Sequence, residues 1–154
     1  MPRASRIAIA IAIALLAPAA PAPAACTISA TGVAFGSYDP GSASPDDSTG
    51  TVDVGCHPSD AAPTVALGTG LSGSYSPRAM TAGSYSLGYN LYTSSARNIV
   101  WGDGTSGTVT QTLSGGSVSG GVRRYSRPVY GRIPGSQNVG AGAYGDTIIL
   151  TVTF

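Results

Sequence analysis

The chain has 154 residues and a formal net charge of +1, with 22 glycines, 8 tyrosines and neither lysine nor glutamate. This length allows one domain of ordinary size and excludes a second. The near-neutral charge gives no electrostatic reason to expect a nucleic-acid or anionic-membrane partner. Strong helix formers are scarce beside abundant turn and strand formers, and this composition predicts an all-β fold.

The N-terminal residues have the organisation of a secretory signal. Arg3 and Arg6 precede an apolar run over residues 7–16, and Ala22 and Ala24 offer a small-x-small cleavage site. The apolar run is too short to span a bilayer. We therefore expect removal of residues 1–24, a single domain over residues 25–154, and no membrane insertion after cleavage.

Short segments of alternating apolar and polar residues follow, separated by Gly, Pro, Ser and Asp. This alternation is the period of a strand that is buried on one side. The first segment should be half buried through Ile28 and, further along, Val33. Strands are predicted at residues 26–33, 51–56, 64–67, 86–92, 99–101, 108–113, 127–133 and 146–154, with loops at 41–50 and 114–121. Short strands at this spacing favour one antiparallel β-sandwich over a barrel.

Cys26 and Cys56 are the only cysteines. An even count in an exported chain predicts a disulfide, which would contribute about 3 to 4 kcal/mol for a loop of this length. An acylated Cys26 is the alternative, but Pro23 stands where a lipobox has leucine, and acylation would leave Cys56 unpaired. Zinc needs more ligands than these residues and His57 supply.

The last predicted strand has the strongest pattern in the chain. Stepping by two from residue 146 separates an apolar face from a face that is mostly threonine. No hairpin return follows to cover the free edge of this strand. The apolar face consists of Ile148, Leu150, Val152 and Phe154.

Residues that could carry enzymatic chemistry are few. His57 is the only histidine and is interpreted as a solvated turn residue, and no nucleophile elbow occurs. Residues 102–107 and 140–145 match the dinucleotide fingerprint as strings, but no helix is predicted after either of them. We expect no catalytic residue, no bound metal and no cofactor.

Trp101 has two interpretations. Its ring and the tyrosines could form a surface on which sugars stack, which would make the chain a secreted carbohydrate-binding module. Alternatively, Trp101 packs in the core, where most tryptophan area is found.

Several strings together resemble the spore coat protein U domain family over the whole chain from Cys26 to Phe154. Each string is weak alone, but their order and spacing are specific. They are Cys26, the run from Thr31 to Pro40, Cys56, Arg78-Ala-Met80, residues 87–92, Val100-Trp-Gly-Asp103, residues 129–133 and Tyr144-Gly-Asp-Thr147 before an apolar strand.

The resemblance implies an immunoglobulin-like sandwich that lacks its last strand, as in subunits of archaic Csu-type chaperone-usher pili. A periplasmic chaperone would fill the groove first, and another pilus subunit would fill it after transfer at an outer-membrane usher. The groove would be formed partly by the apolar face of the last strand. The chain would then be a non-enzymatic, adhesive component of the cell surface.

One feature departs from the pattern of polymerising subunits. Cleavage after Ala24 would leave only Ala25 ahead of Cys26, which is too short to act as a donor strand at about 3.3 Å per residue. The sequence therefore predicts a tip or capping subunit that accepts a strand. A secreted coat or surface protein outside any fibre is the alternative.

Overall fold

The structure is a computed structural model that describes residues 26–154. The predicted signal at residues 1–24 lies outside this range. The described residues contain no helix, so none is long and apolar enough to cross a membrane. The part of the chain that the structure describes forms nine strands: β1 (Thr27–Thr31), β2 (Asp46–Cys56), β3 (Thr64–Leu67), β4 (Arg78–Ala82), β5 (Tyr85–Tyr92), β6 (Gln111–Thr112), β7 (Ser117–Ser119), β8 (Val122–Ile133) and β9 (Leu150–Thr153).

The strands form two antiparallel sheets of unequal size. The large sheet has the order β1-β2-β8-β5-β4, with β7 also pairing with β8, and the small sheet has the order β6-β3-β9. The two layers enclose one hydrophobic core, to which β2, β5 and β8 of the large sheet and β3 of the small sheet all contribute buried side chains. The all-β sandwich predicted from the sequence is confirmed.

The centre of the large sheet is a long ladder between β2 and β8. Its register pairs Asp46 with Ile133 at one end and Cys56 with Arg123 at the other. Every second residue of β2 from Gly50 to Cys56 faces the core, because successive side chains of a strand point to opposite faces. The ladder therefore fixes which residues of both strands face inward and which face outward.

Some boundaries differ from those predicted. Residues 46–50 were predicted as loop but belong to β2, because their backbone pairs with residues 129–133 although they have no apolar anchor of their own. Strand β4 was not predicted, and residues 99–101 form only isolated bridges. The hairpin of β7 and β8 lies partly in a predicted loop and turns at Gly120 and Gly121, which both have positive φ.

The first strand is exposed along its whole length. All residues of β1 are exposed, and Ile28 retains 49% of its accessible surface. The prediction that Ile28 is buried is therefore wrong. The reason is the size of the small sheet, since β9 is its last strand and no other strand of residues 26–154 lies between β9 and the inner side of β1.

Candidate functional site

An apolar trench separates β9 from the segment that follows β1. One wall consists of residues 30–35, the other of residues 144–150, and the volume between them is about 340 Å³. The floor consists of core residues, all of them buried except the partly buried Met80: Val52, Leu67, Met80, Tyr89, Leu91 and Val129. A second hollow of about 620 Å³ adjoins the first and shares Val33, Phe35, Met80 and Tyr144 with it.

The wall after β1 lies close to the large sheet because two glycines leave room for it. A Cβ on Gly50 would lie 2.5 Å from the carbonyl oxygen of Thr31, and a Cβ on Gly131 would lie 2.6 Å from side-chain atoms of both Val33 and Phe35. The Phe35 ring then meets the Tyr89 ring edge-on, with centroids 6.0 Å apart. Glycine at these positions therefore allows two apolar side chains to line the trench.

Asp146 holds the opposite wall in place. Its carboxylate accepts hydrogen bonds from the Tyr89 hydroxyl at 2.7 Å and from the Leu71 backbone N–H at 2.8 Å. Just before it, Gly145 exchanges two backbone hydrogen bonds with Thr81 of β4. Residues 145–146 thus tie the edge of the large sheet to the segment that enters β9. Burial is the largest effect that raises the pKa of Tyr89, and the hydrogen bond to Asp146 is the second. The phenol therefore remains a neutral donor at neutral pH.

The outer edge of β9 has no strand partner among the described residues. Strand β9 pairs only with β3, and the Gly68 N–H donates to the Ile149 carbonyl at 2.8 Å. Alternate residues of an antiparallel strand direct their backbone to opposite neighbours. Leu150 and Val152 therefore direct their N–H and C=O groups away from β3, along the trench. A further strand could pair with them there.

Arg78 connects the two sheets behind the trench. This fully buried guanidinium donates to the carbonyl oxygens of Gly68 and Trp101 and to the side chain of Asn90, at 2.7 to 2.9 Å. Its carbon Cζ lies 4.9 Å from the centre of the Tyr75 ring. Burial lowers the pKa of Arg78 from its ordinary value, but arginine stays charged in proteins. The hydrogen bonds replace the water that this charge loses on folding.

The residues of the predicted groove lie in different environments. Ile148 and Leu150 line the trench, and Val152 is partly buried against the core beyond it. Phe154 is 58% exposed and is not part of the trench lining. Sequence reasoning did not assign a site role to the opposite wall, Val33 and Phe35, or to the organising residues Arg78 and Asp146. Val33 and Phe35 belong to the run from Thr31 to Pro40, one of the strings on which the family resemblance rests, and that resemblance could have indicated them.

Trp101 offers no surface to a ligand. Its relative exposure is 0%, and its indole N–H donates to the Val65 carbonyl at 3.0 Å. Its backbone N–H bonds to Leu91 of β5. The packing interpretation is confirmed, and a sugar-stacking surface at Trp101 is wrong because the ring lies between the two sheets.

Cys26 and Cys56 form a disulfide, as predicted, which joins the start of β1 to the end of β2. The sulfur of Cys26 is therefore not free for acylation. Asp60 lies near the two cysteines, but a disulfide supplies no thiolate ligands to a metal. His57 is exposed in a turn, where Asp60 accepts from its backbone N–H and not from its ring. This contact does not orient the imidazole as a catalytic base requires.

Three similarities to known proteins place this geometry in context. Residues 12–151 match the family described as the Spore Coat Protein U domain. Protein U of Myxococcus xanthus is 41% identical over 68 residues, which is 44% of this chain and 34% of that protein. One solved chain, from the crystal structure of the CsuC-CsuE chaperone-tip adhesion subunit pre-assembly complex of archaic chaperone-usher Csu pili of Acinetobacter baumannii, has a similar fold. It is 24% identical with a TM-score of 0.56, and the match covers 85% of this chain and 40% of that chain.

Proposed function

Because this chain belongs to the Spore Coat Protein U domain family, we propose that it is an exported, non-enzymatic subunit of a bacterial surface fibre of the chaperone-usher type. Its fold would be completed by a β-strand from another molecule. Residues 1–24 would be removed on export, and residues 25–154 would form the assembled domain. The subunit would pass through the periplasm to the cell surface.

The observation that carries this proposal is the trench beside β9. It has apolar walls, an apolar floor and, on one side, a strand with an unpaired backbone edge. An inserted strand would gain main-chain hydrogen bonds from Leu150 and Val152 while its alternate side chains enter the trench. The exposed Ile28 and Ala30 lie on the inner side of β1, where the same strand would cover them. Burial of apolar surface contributes about 25 cal/mol per Å².

The partners that fit this trench supply an extended, apolar segment. We propose a periplasmic chaperone before assembly and a neighbouring pilus subunit afterwards, with an outer-membrane usher as the site of exchange. The similar fold in a chaperone-tip adhesion subunit complex supports this assignment. A tip or capping position would agree with predicted cleavage after Ala24, which leaves Ala25 alone ahead of Cys26.

The test is co-expression of the full chain with the periplasmic chaperone encoded nearest to it. We expect a stable one-to-one complex on size-exclusion chromatography and poor solubility of the chain alone, because an open trench exposes apolar surface. An abundant, stable monomer without any partner would contradict the proposal and favour a coat protein outside any fibre.

Two adjacent isoleucines provide a matched pair of variants for this test. Ile148 lines the trench, whereas Ile149 is 73% exposed on the opposite face of the same segment. Ile148→Asp should abolish the complex, because a carboxylate in the trench would lose water without gaining a partner. Ile149→Asp should preserve it. Equal yields of complex from both variants would contradict a role for the trench.

A further inference from the structure

A polar depression lies on the outer face of the large sheet, on the side opposite the trench. Its volume is about 360 Å³, within the range of about 300 to 1,000 Å³ that small-molecule sites occupy. It is lined by side chains from four strands: Thr27 and Ser29 of β1, Asp53 of β2, Ser117 of β7, and Arg124 and Ser126 of β8. We call this site the outer depression.

The sheet register brings these side chains together. Thr27 is opposite Gly55, Gly55 is opposite Arg124, and Arg124 is opposite Ser117. One step along, Ser29 is opposite Asp53, which is opposite Ser126. Residues that are directly opposite share a face, so the two rows lie side by side on the outer face.

Gly55 forms the floor of the outer depression. A Cβ there would lie 2.8 Å from Thr27 Oγ1 and 3.9 Å from Nη1 of Arg124. The Arg124 guanidinium therefore lies above the glycine, over the sheet. A larger residue at this position would displace Thr27 and Val122, whose Cγ1 would lie 3.2 Å from the same Cβ.

The charges in the outer depression have no protein partner among residues 26–154. Among the described residues, ion pairs join Asp47 to Arg97 and to Arg132. Asp53 and Arg124 form no ion pair with each other or with another of these residues. The neighbouring Arg127 is different, since it donates to the carbonyl oxygens of Ser114 and Ser126. Asp53 and Arg124 thus keep their hydrogen-bonding capacity for a ligand.

We propose that the outer depression binds a saccharide that carries a carboxylate. The guanidinium of Arg124 has the fork geometry that binds a carboxylate through two parallel hydrogen bonds. Asp53 can accept from sugar hydroxyls, while Ser and Thr hydroxyls both donate and accept. Short hydroxyl side chains lose little rotamer freedom when a ligand orders them. A negatively charged surface polysaccharide has this chemistry.

Binding in the outer depression is independent of the trench. The inner face of the large sheet carries the trench, whereas Asp53, Gly55 and Arg124 point to the outer face. A strand inserted beside β9 would leave the depression open. The binding test can therefore use the chaperone-bound chain or, where no such complex forms, the chain without a partner, so its result does not depend on whether the chain assembles into a fibre.

The experiment is a titration of the chaperone-bound chain with trigalacturonate, followed by NMR or calorimetry, with the chaperone alone as a blank. We expect saturable binding with a Kd on the order of 1 mM, because the site is shallow and open. Arg124→Gln should weaken binding about tenfold or more, since it removes a charge-assisted hydrogen bond. Arg127→Gln is the matched control and should bind as the unaltered chain does.

The methyl ester of trigalacturonate tests the carboxylate directly. It keeps the hydroxyls of the sugar but loses the charge, so it should bind at least as weakly as the acid binds to Arg124→Gln. Equal binding of the ester and the acid, an equal loss in Arg127→Gln, or no saturable binding by the unaltered chain would each overturn the proposal.

Discussion

Arg78 illustrates how much of this fold depends on single polar residues inside it. A cation that is fully buried without a carboxylate partner must be solvated by the protein, and here carbonyl oxygens and an amide do this. Those acceptors belong to segments on both sides of the core. Arg78 therefore stabilises the relative position of the two sheets at the place where the trench begins.

Arg78→Met should lower the free energy of unfolding by about 3 kcal/mol, because it keeps the side-chain volume but leaves buried carbonyl groups without donors. The carbonyl oxygens of Gly68 and Trp101 lose the hydrogen bonds that Arg78 provides. Arg127→Met, which removes a partly exposed arginine that bonds only to the carbonyl oxygens of Ser114 and Ser126, should change it by no more than about 0.5 to 1 kcal/mol. Urea unfolding measures both, and equal losses would contradict the role given to Arg78.

Asp47 gives the surface of the large sheet a dependence on pH. Its carboxylate bonds to Nε and Nη2 of Arg132 at 2.7 and 2.8 Å, and this hydrogen bonding, with the nearby charge of Arg97, lowers the pKa of Asp47. A lowered pKa means that the stabilisation is complete above the ordinary value of about 3.9 and is lost as pH falls through the lowered value.

Asp47→Asn should therefore lower stability at neutral pH, by no more than about 1 kcal/mol because the pair is partly exposed to solvent. The difference between this variant and the unaltered chain should shrink as the pH falls below the ordinary carboxyl value and disappear once the pH is below the lowered pKa of Asp47. Urea unfolding at several pH values measures this. Asp53→Asn is the control, since Asp53 has no ion pair among the described residues. A difference that persists in acid would contradict the assignment.

At the scale of elements, the trench wall after β1 depends on close approach between backbones. Val33 and Phe35 pass over Gly131 of β8, at a position where a Cβ would meet both side chains at 2.6 Å. Close contact of this kind explains why a glycine stands inside β8, two residues before its end, where it would otherwise weaken the pairing.

Gly131→Ala should lower the free energy of unfolding by about 1 to 3 kcal/mol, because the added methyl group overpacks this crossing. Gly32→Ala is the matched control, since a Cβ there would meet no atom within 4 Å, and it should change stability by less than about 0.5 kcal/mol. Thermal or urea unfolding measures both variants. A neutral Gly131→Ala would show that the wall is free to move.

Elements with their own alternating pattern could be predicted from the sequence. Strands β3 and β5 lie within one residue of their predicted bounds, because each carries its own apolar face. The start of β2 and all of β4 could not be predicted, because each is held by pairing with a neighbouring strand that the sequence does not identify. The predicted final strand is shorter than expected because residues 145–146 bond to β4, Leu71 and Tyr89 before β9 begins.

The residues of the candidate site were likewise predicted only in part. Alternation along the last strand indicated Ile148 and Leu150, which line the trench. It also placed Phe154 with them, although that ring is mostly exposed, because period alone does not say how far along a strand its neighbours extend. Val33, Phe35 and Asp146 enter the site through long-range contacts with residues of β5, β8 and the loop after β3, which no local pattern encodes.

At the scale of the whole molecule, the account rests on the mismatch between a large sheet and a three-stranded one. Among the described residues the small sheet ends at β9, and the trench beside it leaves Ile148, Leu150 and the wall after β1 only partly covered. The same mismatch leaves β1 exposed, including Ile28. A strand from another molecule would complete the small sheet and cover both.

Residue-resolved amide hydrogen exchange at β9 tests this claim most directly. In the chain without a partner, the amides of Leu150 and Val152 should exchange freely, while Thr151 and Thr153, which face β3, should be protected. When a chaperone or a donor peptide is bound, Leu150 and Val152 should become protected as well. Protection of Leu150 and Val152 in the lone chain, or their free exchange in the complex, would contradict the claim that a strand from another molecule completes the small sheet.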